Sequence, residues 1–369
     1  MTGGLISYEP DYAVPPGATL IEALEEAGLT QAELACRAEL SPKHVNRLAK
    51  GHAALTPAVA VKLERVLGIP SQFWNAREAN YQARLARLAE RQATAEDLGW
   101  LQCLPWRELR KRGHLPDTDD KAALVSAAKR FFGVATAAAW NAIWSEPAAS
   151  FRHASAYEVD AGALASWVRI TEVHATEVQH DEYNESRFRR VLTDIRSATA
   201  DPPDDVGAWL QRICGAVGVA VVFEPEIKGA RVSGAAYWLA GQPVIALSLR
   251  YRSDDQFWFS LFHEAGHILL HPRRERFIDA GAVPHLGDEG AGPVDGAERE
   301  LEADRFAATT LIPESYEEQL MELKTLAEIE SFAAGLGIAA GIVVGRLQFE
   351  GRLPYKIGNR LKRRIVFAD

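Results

Sequence analysis

The segment His263-Glu264-Ala265-Gly266-His267 holds the residue types and spacing in this chain that most directly imply chemistry. Residues four apart lie about one turn up the same helix face, so His263 and His267 can each place a ring nitrogen on one ion. Glu264 leaves the helix one position round, where its carboxylate reaches a water beside the ion rather than the ion itself. Two ligands and a general base in this order are the HExxH pattern: the ion makes a water acidic, and the glutamate takes its proton while the oxygen attacks a carbonyl. The flanks Phe257-Trp258-Phe259-Ser260-Leu261-Phe262 and Ile268-Leu269-Leu270 are apolar. Burying two imidazoles and a carboxylate among them is costly unless something compensates them.

A third ligand has to come from elsewhere. Arg273 stands where the longer HExxHxxGxxH pattern requires a histidine. His271 is one turn beyond His267, but three ligands along one straight helix cannot converge on one ion. Downstream, Glu298-Arg299-Glu300-Leu301-Glu302-Ala303-Asp304-Arg305-Phe306-Ala307 reads as a second helix whose small and apolar positions form a buried stripe. At about 100° per residue, Glu300, Asp304, Ala307 and Leu311 share one side, whereas Glu302 points roughly 160–200° away. Glu300 is therefore the expected third ligand. Asp304, one turn on, is expected to accept a hydrogen bond from a ligand histidine and hold its tautomer. Glu298 and Glu302 are expected to face solvent. Tyr237, His285 and Tyr316 have the right chemistry to steady an oxyanion, and nothing in the sequence chooses among them.

HEAGH followed by ELEADRFAATTLIP resembles the ImmA/IrrE family of bacterial metallo-endopeptidases, over about residues 215–320. That family joins HExxH to an ExxAN/D-x-FA segment ending in a Leu-x-Pro-like turn, here Leu311-Ile312-Pro313. Its members resemble the gluzincins, in which two histidines and a glutamate bind zinc. The resemblance implies a Zn2+ cofactor on His263, His267 and Glu300, Glu264 as the catalytic base, and a partner protein as substrate, such as a repressor or toxin-linked factor. The long loop from Asp279 to Gly296, rich in Gly, Pro and Asp, departs from the family pattern. It is expected to be mobile and to border the cleft, because it joins the two ligand-bearing helices.

A second constellation lies near the start. Thr30-Gln31-Ala32-Glu33 fits a capping box, Ser41-Pro42 is another helix start, and Gly51 is a stop. Two short helices with a turn at Glu39-Leu40 have the proportions of a helix-turn-helix. The second would point Lys43, His44, Asn46, Arg47 and Lys50 outward, with Val45 and Leu48 inward. Lys and Arg can meet phosphates or guanine, and Asn can pair with adenine. Ser41 to His52 holds no acidic residue, although residues 20–65 balance six acids against six bases. The run from Leu29 to Trp74 resembles the XRE/HigA-type antitoxin helix-turn-helix, on Thr30-Gln31-Ala32-Glu33-Leu34-Ala35 and Leu67-Gly68-Ile69-Pro70-Ser71-Gln72-Phe73-Trp74. That resemblance implies a double-stranded DNA operator, often a palindrome read by a homodimer. It also supplies a rival reading: a HigA-like antitoxin or repressor whose peptidase-like domain senses or binds a partner without turnover.

Around these motifs, the expected fold is α+β and predominantly helical. Residues 1–16 form an arm, 17–88 a helix-turn-helix bundle, 89–212 a helical linker domain, and 213–369 a gluzincin-like metallopeptidase domain with a small antiparallel sheet. The expected strands are Val219–Phe223, Pro243–Leu249 and, more weakly, Val232–Leu239, with Gly229, Gly234 and Gly241 as breaks. At 369 residues, two or three domains fit. The net charge of −9 does not suggest a surface coated for nucleic acid, so any DNA contact is expected to be local. Cys36, Cys103 and Cys214 are odd in number and widely spaced, which points to a reducing compartment. The start shows no basic segment before an apolar core, and no run approaches the ~20 apolar residues of a membrane helix. A cytoplasmic protein is expected.

Overall fold

A computed structural model describes residues 12–145, 159–250, 252–272, 277–279 and 295–365. Contacts divide the chain into two units, Met1–Gly99 with Asp120–Ser126, and Trp100–Asp119 with Ala127–Asp369.

The first unit opens with helices α1 (Pro16–Glu26), α2 (Gln31–Arg37), α3 (Pro42–Ala49), α4 (Pro57–Leu67) and α5 (Ser71–Glu96). Their ends follow from side chains. The Thr30 hydroxyl accepts from the Glu33 amide while the Glu33 carboxylate accepts from the Thr30 amide. Ser41 and Thr56 cap α3 and α4 ahead of a proline at the first helical position, and Gly68 ends α4 with φ 74°. Leu20, Leu34, Val45, Leu63 and Trp74 are fully buried at the centre. Gly17 in α1 lies against α3 so closely that a Cβ there would sit 2.1 Å from the Leu48 carbonyl oxygen and 2.4 Å from that of Ala49. Of the expected arm, residues 1–11 lie outside the described residues, and α1 begins at Pro16.

Helices α6 (Leu98–Leu101), α7 (Trp106–Lys111), α8 (Lys121–Phe132) and α9 (Ala137–Trp140) come next, and α9 runs on into a π-turn at Asn141–Ser145. By length and composition the helical segment Lys121–Trp144 could cross a membrane. Gly133 interrupts it at φ 67°, and Phe132, Trp140 and Trp144 form edge-to-face contacts with one another or with Trp100. Helices α10 (Ala161–Ala175), α11 (Glu185–Ala198) and α12 (Val206–Gly215) lead into a sheet.

The sheet has strands β1 (Ala220–Phe223), β2 (Gly234–Leu239), β3 (Gln242–Leu247) and β4 (Phe277–Asp279), in the order β1-β3-β2-β4. It is mixed rather than antiparallel throughout, since β1 pairs parallel to β3. The reason is the connection. β2 and β3 are joined by the two-residue turn Ala240-Gly241, both at positive φ, as a tight hairpin requires. Residues 224–233 form a loop long enough to carry the chain past one intervening strand, which a hairpin turn cannot do. Gly234, expected as a break, is instead the first residue of β2.

Helix α13 (Asp254–Leu270) carries both histidines. Val221, Ile245 and Ala236 are aligned across the ladder and belong to the same core as Trp258, Phe262 and Ala265 of α13. Burying an aromatic of this size contributes about 1.5–3 kcal/mol. The opposite sheet face packs on α10, where the Tyr237 and Thr171 hydroxyls are 2.9 Å apart. The start of α13 is tied down by the C-terminal segment: Asp254 N donates to Arg363 O at 2.8 Å, Ile365 N to Arg252 O at 2.7 Å, and Lys362 pairs with Asp255. Helix α14 (Asp295–Leu311) crosses α13, and α15 (Glu317–Glu322), α16 (Leu326–Leu336) and α17 (Ala340–Phe349) complete the unit. Of the expected loop, residues 280–294 lie outside the described residues, including His285. Asp279 falls in β4, while Asp295 and Gly296 belong to α14.

Candidate metal centre

His263 and His267 leave α13 on one face and are 5% and 2% exposed. Their Nε2 atoms stand 3.0 Å apart. Glu300, on α14, brings Oε2 to 3.2 Å from His263 Nε2 and 3.5 Å from His267 Nε2. Donors about 2.0–2.1 Å from a tetrahedral ion are separated by roughly 3.4 Å, so these spacings match one face of such a shell.

The protons decide what the triad can hold. Asp304 Oδ1 is 2.9 Å from His263 Nδ1, and a carboxylate only accepts, so the His263 proton sits on Nδ1. Glu302 Oε2 is 3.0 Å from His271 Nε2, which places the His271 proton on Nε2. His271 Nδ1 is then an acceptor, and at 2.9 Å it accepts a hydrogen bond from His267 Nδ1–H. Both facing Nε2 atoms are therefore lone pairs, beside an anionic oxygen. Three acceptors this close repel unless a cation lies among them, so the residues present fit a metal ion. Burial lowers the His267 pKa below its usual value, which favours the neutral ligating ring. Burial alone would raise the Glu300 pKa, but its contacts with His263 and His267 outweigh that and hold it at about 2. His263, His267 and Glu300 are a three-residue cluster capable of chelating a metal.

Around the triad, Phe277 of β4 stacks on the His267 ring, with centroids 4.3 Å apart and planes 15° apart. Glu264 is fully buried and faces Gly234 of β2, where an added Cβ would lie 2.4 Å from Glu264 Oε1. The Glu300 and Asp304 side chains are 34% and 33% exposed, so the site opens toward solvent on the α14 side.

As three ligands on one straight helix cannot converge, His271 stays outside the triad; its Nδ1 meets the far nitrogen of the His267 ring, a role the sequence did not suggest. Glu302 does not simply face solvent but reaches His271. A wheel drawn for one helix says which way a side chain leaves its axis, not where a neighbouring helix passes. Tyr237 is buried on the sheet face turned away from Glu264, and Tyr316 packs on Phe332. Phe277 gave no signal in the sequence. Gly234 did, because an isolated glycine in a strand pattern marks close approach.

In the first unit, Lys43, Asn46, Arg47 and Lys50 are exposed and His44 half-buried, while Val45 and Leu48 are buried. Arg47 Nη2 donates to the His52 carbonyl at 3.0 Å, which steadies the guanidinium past the end of α3 and leaves other donors free.

Residues 214–347 match the peptidase M78 family, described as the IrrE N-terminal-like domain, and residues 20–74 match a helix-turn-helix family. The chain carries a helix-turn-helix domain and an IrrE/M78-like peptidase domain. It is also 41% identical over 59 residues to the uncharacterized HTH-type transcriptional regulator YddM of Escherichia coli (strain K12). That match spans 16% of this chain and 63% of the relative's length. The chelating cluster thus lies within the M78-like segment, and the exposed α3 residues lie within the helix-turn-helix segment.

Proposed function

We propose that the chain is a cytoplasmic DNA-binding regulator whose M78-like domain is a zinc-dependent endopeptidase acting on a partner protein, such as a repressor or toxin-linked factor. The observation that carries this reading is the convergence of three proton-free acceptors, His263 Nε2, His267 Nε2 and Glu300 Oε2, beside a buried glutamate. His263, His267 and Glu300 would hold the zinc. When bound, zinc supplies Lewis acidity that makes water a nucleophile near neutral pH.

This chain's own groups do the rest. Glu264 takes the proton of the attacking water and delivers it to the leaving amine, a role suited to a carboxylate held in a fixed pose. Gly234 leaves room for that carboxylate, and Asp304 keeps the His263 proton away from its ligating nitrogen. In the helix-turn-helix domain, Lys43, His44, Asn46, Arg47 and Lys50 would meet a double-stranded operator, with a homodimer matching a palindrome.

The test is zinc content and cleavage measured together on the purified full chain. The expected result is about one zinc per chain, lost in Glu300→Ala, and a Glu264→Gln variant that keeps zinc but no longer cleaves. Wild-type protein that binds no zinc refutes the metal reading. A Glu264→Gln variant that retains the full biological effect supports the antitoxin or repressor reading without turnover.

A further inference from the structure

The two ligand histidines are supported differently. His263 Nδ1 meets a carboxylate directly, Asp304 Oδ1 at 2.9 Å. His267 Nδ1 meets a second imidazole, His271 Nδ1 at 2.9 Å, and only the far nitrogen of that ring meets a carboxylate, Glu302 Oε2 at 3.0 Å.

A contact between two Nδ1 atoms is ambiguous by itself. If His267 donates, its Nε2 is a lone pair and can bind an ion. If His271 donates, the His267 proton sits on Nε2, against His263 Nε2, and the ligand is blocked. Glu302 removes the ambiguity, because it accepts a hydrogen bond from His271 Nε2–H and so leaves Nδ1 as the acceptor of that ring. The local structure keeps this geometry. His271 leaves the end of α13 with extended backbone (φ −111°, ψ 161°). Phe277 lies against both rings, at 4.3 Å from His267 and 5.0 Å from His271. The His271 side chain is 3% exposed and that of Glu302 55% exposed, so the chain of contacts runs from the surface to the ligand.

We propose that His271 and Glu302 are positioning residues that act in series, Glu302 through His271, to hold His267 in the tautomer that binds the metal. The proposal rests on the zinc reading of the triad. It assigns His271 a purpose other than ligation and separates the two acidic residues of α14 on either side of Leu301: Glu300 contacts the ion, and Glu302 acts two hydrogen bonds away.

The test is zinc affinity of the full chain, measured by competition with a chromophoric chelator, together with the visible spectrum of the cobalt-loaded protein. His271→Phe keeps a ring between Phe277 and His267 but removes the acceptor. It should weaken zinc binding about 10–100-fold, the usual range for losing the partner of a ligand histidine. Glu302→Ala should weaken it about 10-fold, at the lower end because that hydrogen bond is half in water. Glu302→Gln should stay near wild type, because its amide oxygen still accepts from His271. The double variant His271→Phe/Glu302→Ala should bind zinc no more weakly than His271→Phe alone, since the two act in series. The cobalt spectrum should change in His271→Phe and not in Glu302→Gln. Unchanged affinity in both His271→Phe and Glu302→Ala, while wild type is loaded, overturns the relay and leaves the zinc reading standing. So do additive losses in the double variant, or Glu302→Gln falling as far as Glu302→Ala. Wild-type protein without zinc affinity overturns the zinc reading and the relay with it.

Discussion

Replacing Gly234 with alanine tests whether the position of the Glu264 carboxylate matters separately from the metal. The added Cβ would lie 2.4 Å from Glu264 Oε1, 2.9 Å from Cγ and 3.0 Å from Cδ. Ordinary contact needs roughly 3.4 Å or more, so the carboxylate has to retreat by about 1 Å; a displacement of that size at a reacting group can lower turnover about 100-fold. Glu264 is fully buried, so the retreat strains the core as well, by about 1–3 kcal/mol. The three atoms nearest the new methyl all belong to Glu264 and none to the triad, so zinc content should not change. The assay is zinc stoichiometry, thermal midpoint and cleavage of a peptide or protein on which the wild type turns over. The expected result is full zinc, a lower Tm and turnover reduced about 100-fold. In a Glu264→Gln background the same substitution should produce no comparable further loss, because the group it displaces no longer acts as a base. Wild-type turnover with full zinc in Gly234→Ala would refute the claim that this contact positions the base, and loss of zinc would show that the strain reaches the ligands.

Three further outcomes follow from the contacts above. Glu300→Ala should weaken zinc binding more than Glu302→Ala; the reverse order in a chelator competition would move the third ligand to Glu302. Removing phosphate contacts through Lys43→Ala should weaken duplex binding at all sequences and flatten its salt dependence, whereas losing a base contact at Arg47 or Asn46 should relax specificity. Titrations in increasing salt distinguish these, and unchanged affinity and specificity in Arg47→Ala would count against the α3 face. Burial pushes the Asp254 carboxyl up from 3.8 to about 6; backbone hydrogen bonding at Arg363 and Asp255 and the Arg363 charge lower it, and the Asp255 charge raises it. The folded state then binds this proton more tightly than the unfolded chain, so its contribution to stability is largest below pH 4 and is lost as pH rises through about 6. Asp254→Asn should flatten that part of the Tm-against-pH curve, and an unchanged slope would exclude Asp254 as its source.

The parts of the site that were legible in the sequence are those determined within one helix. Two histidines four apart share a face in any helix, and the 100° spacing separates Glu300 from Glu302 without knowledge of what surrounds them. The caps at Thr30 and Ser41 are equally local, which is why α2 and α3 could be placed closely. Beyond the meeting of Glu300 and Asp304 with the histidines, contacts between elements were not legible. The His271–Glu302 contact depends on how α13 and α14 cross. The parallel pairing of β1 with β3 depends on a loop passing over a strand. Phe277 stacks on His267 from a three-residue strand with no pattern of its own. The basic run Arg360–Arg364 has no pattern that names its partner, yet Arg364 pairs with Ser253 at the start of the histidine helix.

The crossing of α13 and α14 leaves a trace in the motif itself. Gly266 lies between the two histidines, and a Cβ there would be 3.2 Å from Ala303 Cα and from Phe306 Cδ1. The first of these is backbone and cannot rotate away, so a side chain at 266 has to move α14 or be accommodated by a shift of α13. Ala303 is fully buried at the same contact and lies less than one turn from Glu300. Two small residues thus set how closely the helices approach, and that approach sets the 3.2 and 3.5 Å separations between the Glu300 oxygen and the two imidazoles. Displacing α14 by a few tenths of an ångström changes every donor spacing that involves Glu300 but leaves the His263–His267 pair on α13 untouched. The glycine of His-Glu-Ala-Gly-His is therefore a distance constraint on Glu300, the proposed third ligand, and stands one residue before His267.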